Sequence, residues 1–229
     1  MVRGAPEAAG GRGGVETGEA NTRPAAVELR ARARRVRLVL TDNDGVLTDG
    51  GVYYSETGEA LRRFTVRDGM GVERLREAGI ATAIVTRERS GCVERRSAKL
   101  RLPHLFQGVQ DKAAQLPAIL AETGLAVEAL GYIGDDVNDL GILAAIGRLG
   151  LTAAPADAMP EVLAVCHHRC AARGGHGAFR DFAEWILALR AAPVDGEAAA
   201  GATVEAVAIA PWEVVAAAGS PAGRKLEDS

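Results

Sequence analysis

The chain has 229 residues, 48% hydrophobic and 25% charged, enough for one domain that buries a sizeable core without covalent staples. Basic and acidic side chains number 27 and 30, a formal charge of −3, so no basic footprint argues for nucleic acid or an anionic membrane. The 3 cysteines are too few and odd in number for a disulfide framework, and no apolar run approaches the ~20 residues of a membrane span. A cytoplasmic protein is therefore expected, with neither a nucleic acid nor a membrane as partner.

Residues 1–34 are rich in Gly and Ala, broken by isolated charges without a period, which predicts a disordered arm. From 35 to 190 short apolar runs alternate with amphipathic ones. The pattern predicts strands at 36–41, 80–85, 105–106, 129–133 and 149–153, and helices at 71–78, 92–100, 112–123, 138–146 and 178–189. Strands apolar throughout, alternating with helices, imply a parallel sheet covered on both faces. The expected fold is a three-layer, doubly wound, Rossmann-like α/β domain. One element breaks the alternation: within 50–66, two β-rich runs flank the turn signal Glu56-Thr57-Gly58, so a β-hairpin follows the first strand. The stretch from Asp49 to Thr86 has room for that hairpin and one helix, not for a separate cap domain. Residues 191–229 form an Ala/Gly/Pro-rich tail, with an apolar alternation at 203–210 and Trp212 beside it.

Ligands of a doubly wound sheet bind at the carboxyl ends of its strands. There the first strand delivers Asp42-Asn43-Asp44-Gly45, the second Thr86, and the fourth Gly134-Asp135-Asp136-Val137-Asn138-Asp139, while Lys112 opens the helix before the fourth. Two carboxylates about 4 Å apart repel by ~4 kcal/mol at an effective dielectric of ~20, so Asp42, Asp44, Asp135 and Asp139 together call for a cation. An all-oxygen set fits Mg²⁺, and no His or Cys in these motifs speaks for zinc. One Asp after one strand is ordinarily a helix cap, a role open to Asp136 or Asp139. Two acidic clusters with a Thr and a Lys at compatible positions read instead as a site. Beside Mg²⁺, the first carboxylate can attack phosphorus to give an acyl phosphate, and the second, two residues on, can exchange the protons. Thr86 would hydrogen-bond a phosphoryl oxygen and Lys112 would supply a point charge.

In that order these motifs resemble those of the haloacid dehalogenase superfamily of phosphatases. The resemblance implies that Asp42 is the nucleophile and Asp44 the general acid/base. It also implies that Thr86 and Lys112 bind phosphate, that Asp42, Asp44 (through its carbonyl) and Asp135 hold Mg²⁺, and that Asp136 and Asp139 support them. Over about 36–189, the hairpin, Phe64-Thr65-Val66-Arg67-Asp68-Gly69-Met70-Gly71 and Arg173-Gly174-Gly175-His176-Gly177 are similar to two groups. These are the 3-deoxy-D-manno-octulosonate 8-phosphate phosphatases and the phosphatase-like domains associated with acylneuraminate cytidylyltransferases. The likeness implies a homotetramer assembled through the hairpins, a cytidylyltransferase partner in the second case, and a phosphorylated 2-keto-3-deoxy sugar acid as substrate. Arg67, Arg173 and His176 are the candidate substrate contacts. The octulosonate group carries Thr-Gly-Arg where this chain has Thr86-Arg87-Glu88, a Thr-x-Glu pattern closer to the acylneuraminate branch. A nine-carbon 9-phosphate is therefore expected, with the eight-carbon 8-phosphate as the alternative. A silent module regulating a sugar-nucleotide enzyme is the alternative of another class, opposed by the presence of both Asp42 and Asp44. A response-regulator receiver is disfavoured because Asp42 ends the first strand, not the third. Cys166-His167-His168-Arg169-Cys170 lacks the spacing of a common zinc site.

Overall fold

The computed structural model describes residues 24–193. In chain order, α1 (Ala26–Arg35) and β1 (Leu38–Thr41) precede the hairpin strands β2 (Val52–Ser55) and β3 (Gly58–Arg62). Then come α2 (Val66–Glu77), β4 (Ala81–Thr86), α3 (Gly91–Leu100), β5 (His104–Gln107) and α4 (Lys112–Thr123). β6 (Leu130–Ile133), α5 (Leu140–Gly147), β7 (Leu151–Ala154), α6 (Pro160–Val165), β8 (His168–Arg169) and α7 (Ala178–Ala191) complete the series.

Six parallel strands form one sheet in the order β5-β4-β1-β6-β7-β8, and the hairpin is a separate antiparallel pair. The expected doubly wound α/β fold with a hairpin after the first strand is what the chain adopts. Alternation along each strand divides the core. Val39, Ile84 and Ile133 face α1, α2, α3 and α7, while Leu38, Leu40, Ala83, Val85 and Tyr132 face α4, α5 and α6. From β1 the chain winds outward to β5 with helices on one face, then returns to β6 and winds the other way with helices on the opposite face. Right-handed crossovers require that arrangement, and they leave a switch point between the carboxyl ends of β1 and β6.

The amino-terminal boundary differs from the expectation of an arm through residue 34, because 26–35 is helical. Ala33 of α1 is fully buried, and the Arg32 guanidinium donates to the carbonyls of Gly147 at 2.7 Å and Gly150 at 3.1 Å, satisfying groups at the end of α5. Its amphipathic signal is masked by four arginines, whose aliphatic stems can lie along apolar surface. At the other end α7 extends one residue past the expected boundary at 190. The alternation at 203–210 and Trp212 lie outside the described residues. Helix α2 begins five residues before the predicted 71, where the Thr65 side chain caps it by accepting from the Arg67 N–H. Gly69 and Gly71 hid this turn from a propensity reading. A Cβ on Gly71 would stand 3.0 Å from the Cα of Arg180, so the glycine admits the close α2–α7 contact.

Candidate active site

Asp42, the residue after β1, is 5% exposed. Its Oδ1 accepts from the Asn43 N–H at 2.7 Å and from Lys112 Nζ at 2.9 Å. Lys112, at the first position of α4, is almost wholly buried and also donates to Asp139 Oδ1 at 2.6 Å. Burial works against its charge, but Asp42 and Asp139 outweigh it and hold the ammonium above the ordinary lysine value. One of its three N–H groups is thus left for a third acceptor.

Asp139 is occupied on both oxygens. Oδ1 accepts from Lys112 and from the Tyr132 hydroxyl at 2.6 Å, and Oδ2 from the Asp135 N–H at 3.0 Å and the Asp136 N–H at 3.4 Å. It therefore holds the loop after β6 and aims the lysine. Gly134 makes this possible, since a Cβ there would lie 2.4 Å from Asp139 Oδ2. The loop is tied from outside as well, because the Asp135 carbonyl accepts from the Met159 N–H at 2.8 Å. Asp136 is exposed, and its side chain caps the following turn through the Val137 N–H at 2.6 Å.

Asp42, Asp135 and Asp139 each bring a carboxylate oxygen within 4.8 Å of the others. Asp135 Oδ1 is buried with no hydrogen-bond partner. Burial, then the charges of Asp42 and Asp139, pushes the Asp135 carboxyl up to about 8, and burial raises that of Asp42 to about 7 despite Lys112. Carboxylates this reluctant to ionise, one with an orphaned oxygen, fit a hard divalent cation such as Mg²⁺. Gly45 closes the site from below. Its φ is +83°, and a Cβ would fall 1.9 Å from Asp135 Oδ2, so only glycine allows the first loop to pass under that carboxylate.

Asp44 Oδ1 accepts from Asn43 Nδ2 at 2.9 Å, from Thr48 Oγ1 at 3.3 Å, and from Arg62 Nη1 of β3 in an ion pair. Thr86 is buried at the end of β4 and accepts the Glu88 N–H at 3.3 Å. Arg87, in the place of the octulosonate group's glycine, turns its guanidinium outward to Gln110 Oε1 at 3.1 Å. Tyr132 and Arg62 were not signalled by the motifs. Tyr132 looked like strand core, and Arg62 looked like one more hairpin charge.

The three expected substrate contacts are not gathered at the carboxylates by any bond among the described residues. Arg173 pairs with Asp157 at 3.1 Å and is 72% exposed. His176 Nδ1 meets the Gly174 carbonyl at 2.7 Å, and the stem of Arg67 lies beside Gly177. The glycine loop serves packing. Cβ atoms on Gly174 and Gly175 would fall 1.9 Å from the Gly45 carbonyl oxygen and 2.4 Å from the Asp49 nitrogen. The loop therefore props the backbone that carries Asp42 and Asp44.

No protein-family model matches the chain. Among curated proteins it is 38% identical over 164 residues to the 3-deoxy-D-manno-octulosonate 8-phosphate phosphatase of Yersinia pestis, covering 72% of this chain and 86% of that one. Among solved structures it resembles a probable YrbI family phosphatase from Pseudomonas syringae pv. phaseolica, with TM-score 0.67, 40% identity, and 72% and 92% of the two chains covered. It also resembles the 3-deoxy-D-manno-octulosonate (KDO) 8-phosphate phosphatase of Moraxella catarrhalis in complex with a magnesium ion, a phosphate ion and a KDO molecule. There the TM-score is 0.66 at 32% identity, with 71% and 92% of the two chains covered.

Proposed function

The chain belongs to the 3-deoxy-D-manno-octulosonate 8-phosphate phosphatase family of haloacid dehalogenase phosphatases, phosphoric monoester hydrolases, and from that membership we propose that it removes the terminal phosphate of the eight-carbon sugar acid with Mg²⁺ bound. One observation carries the chemistry: Lys112 stands between Asp42 and Asp139 at the switch point, and the Asp135 carboxylate, whose Oδ1 is buried without a partner, clusters with those two. In this reading the carboxylates of Asp42 and Asp135 and the carbonyl of Asp44 hold the cation. When bound, Mg²⁺ offsets the repulsion between a carboxylate and a phosphate dianion. Asp42 attacks phosphorus and Lys112, aimed by Asp139 and Tyr132, offers its remaining N–H to the phosphoryl group. Burial, then the charges of Asp139 and Asp42, holds the Tyr132 hydroxyl well above the usual phenol range, so it stays a neutral donor. Thr86 donates from the end of β4, and Asp44 gives and then takes the proton.

The eight-carbon substrate is preferred to the nine-carbon one first expected. Two of the three relatives named above, those of Yersinia pestis and Moraxella catarrhalis, are by name octulosonate 8-phosphate phosphatases, and Glu88, which spoke for the nine-carbon acid, is exposed. The test is a side-by-side measurement of kcat/KM on the two keto-acid phosphates with saturating Mg²⁺. An advantage of about tenfold or more for the eight-carbon 8-phosphate, 1.4 kcal/mol, is expected, and a preference for the nine-carbon 9-phosphate would overturn the assignment.

The hairpin supports assembly. Tyr53, Tyr54 and Leu61 are 59%, 74% and 64% exposed, and Val66 at the start of α2 is 84% exposed, an apolar set that a second copy of the chain would cover. We expect a tetramer by light scattering, and Tyr54→Glu with Leu61→Glu should shift the mass toward monomer while circular dichroism stays unchanged.

A further inference from the structure

We propose that Arg62, carried in by the hairpin, is a positioning residue for Asp44, fixing one carboxylate oxygen so that the other is free to exchange the proton with the ester oxygen. The inference rests on the phosphatase reading of Asp42 and Asp44.

The geometry is asymmetric. Arg62, Asn43 and Thr48 all donate to Asp44 Oδ1, whereas Oδ2 accepts no hydrogen bond among the described residues. The Arg62 side chain is only 2% exposed, although it comes from a hairpin whose other long side chains largely face outward. Burial works against its charge, yet Glu59 and Asp44 hold it above the ordinary arginine range. The second arm of its fork, Nη2, reaches Glu59 Oε2 at 2.9 Å, and Glu59 Oε1 accepts from the Ser90 hydroxyl. Ser90 in turn caps α3, and its N–H donates to Gln107 Oε1 at 2.9 Å. A chain of charge-assisted bonds thus runs from the loop after β1, through the hairpin, to the loop after β4. Arg62 Nε remains buried without a partner, a cost that a residue serving only as a strut would not need to carry.

The chemistry balances without any change in Arg62. An Asp42 oxygen bonds to phosphorus as the P–O ester bond breaks. The ester oxygen keeps the electron pair and takes a proton from Asp44 Oδ2. In the second half a water oxygen bonds to phosphorus, the bond to Asp42 breaks, and the water proton passes to Asp44 Oδ2. A carboxylate free to rotate would present its proton-bearing oxygen correctly only part of the time, and Arg62 removes that freedom.

The experiment separates this role from a structural one by the leaving group. First-turnover rates of the full-length, Mg²⁺-loaded protein are measured by rapid quench on a sugar acid phosphate, whose alkoxide must be protonated, and on 4-nitrophenyl phosphate, whose phenolate need not be. Arg62→Met is expected to slow the alkyl substrate by about 10²-fold and the aryl one by less than about threefold, with Arg62→Lys recovering most of the alkyl rate. Equal losses on both substrates, or no loss on either, would overturn the assignment. If Arg62→Met does not fold, Arg62→Gln is judged by the same ratio. Should the unaltered protein release phosphate from neither substrate with Mg²⁺, the phosphatase reading itself fails. Asp42→Asn, which silences both substrates alike, marks that difference.

Discussion

Asp42→Asn is expected to lower kcat by about 10⁴-fold or more, the order of loss when an enzyme that works through a covalent intermediate is deprived of its nucleophile. The substitution is nearly isosteric, and its effect on folding is expected to be small. Asp42 is a buried carboxylate whose ionisation is opposed by burial and by Asp139, while Lys112 keeps its second partner in Asp139. Replacing it therefore removes one acid from a crowded cluster and leaves the lysine paired. Thermal unfolding without cation should occur at the same temperature or higher, so lost turnover cannot be ascribed to lost structure. The companion Asp44→Asn should behave differently. With the nucleophile intact and the proton donor gone, an aryl phosphate still phosphorylates Asp42, but water is no longer activated. Phosphorylated protein should accumulate and be visible by mass spectrometry. Turnover of Asp42→Asn within tenfold of the unaltered protein, or absence of any trapped species in Asp44→Asn, would exclude the acyl-phosphate route.

What the sequence made legible were the loops at strand ends. Their content is local: Asp42, Asp44 and Gly45 sit within four residues, as do Gly134 and Asp135 to Asp136, and a parallel sheet brings such loops together. Contacts across sequence were not legible. Arg62 reaches Asp44 over 18 positions and depends on the angle at which the hairpin leaves the sheet, which no periodicity encodes. Tyr132 carries no motif because a buried tyrosine in a strand reads as core until a partner for its hydroxyl is known. By sequence the glycines at 174 and 175 could let backbone amides approach an anion or merely turn the chain, and their close approach to the Gly45–Asp49 backbone shows only once the chain is folded. Helix α6 escaped because it is six residues long, short for a 3.6-residue period to show.

Stripped of cation, the protein should lose stability as pH rises, and Mg²⁺ should cancel that loss. The Asp42 and Asp135 carboxyls lie at about 7 and about 8 in the folded chain, against 3.8 as the ordinary value that applies once the chain unfolds. Between about pH 4 and 8 the folded state therefore holds more protons than the unfolded one, so the stability that protonation confers is present in acid and is lost as pH climbs through that window. Cation binding requires both carboxylates ionised. The apparent affinity for Mg²⁺ should accordingly rise with pH, by up to about tenfold per unit for each proton displaced, and level off above about pH 8. Thermal unfolding from pH 5 to 8, with chelator and with Mg²⁺, reads the first effect, and calorimetric titration in two buffers of different ionisation enthalpy reads the proton release. Asp135→Asn should flatten the pH slope above about 6, abolish most of the Mg²⁺-induced rise in Tm, and reduce kcat by about 10²- to 10³-fold, the loss that corresponds to several kcal/mol of charge stabilisation. A Tm that climbs with pH in chelator would mean that these carboxylates ionise freely in the folded chain. The crowding of acids at the switch point would then have some resident positive charge other than Lys112 to account for it.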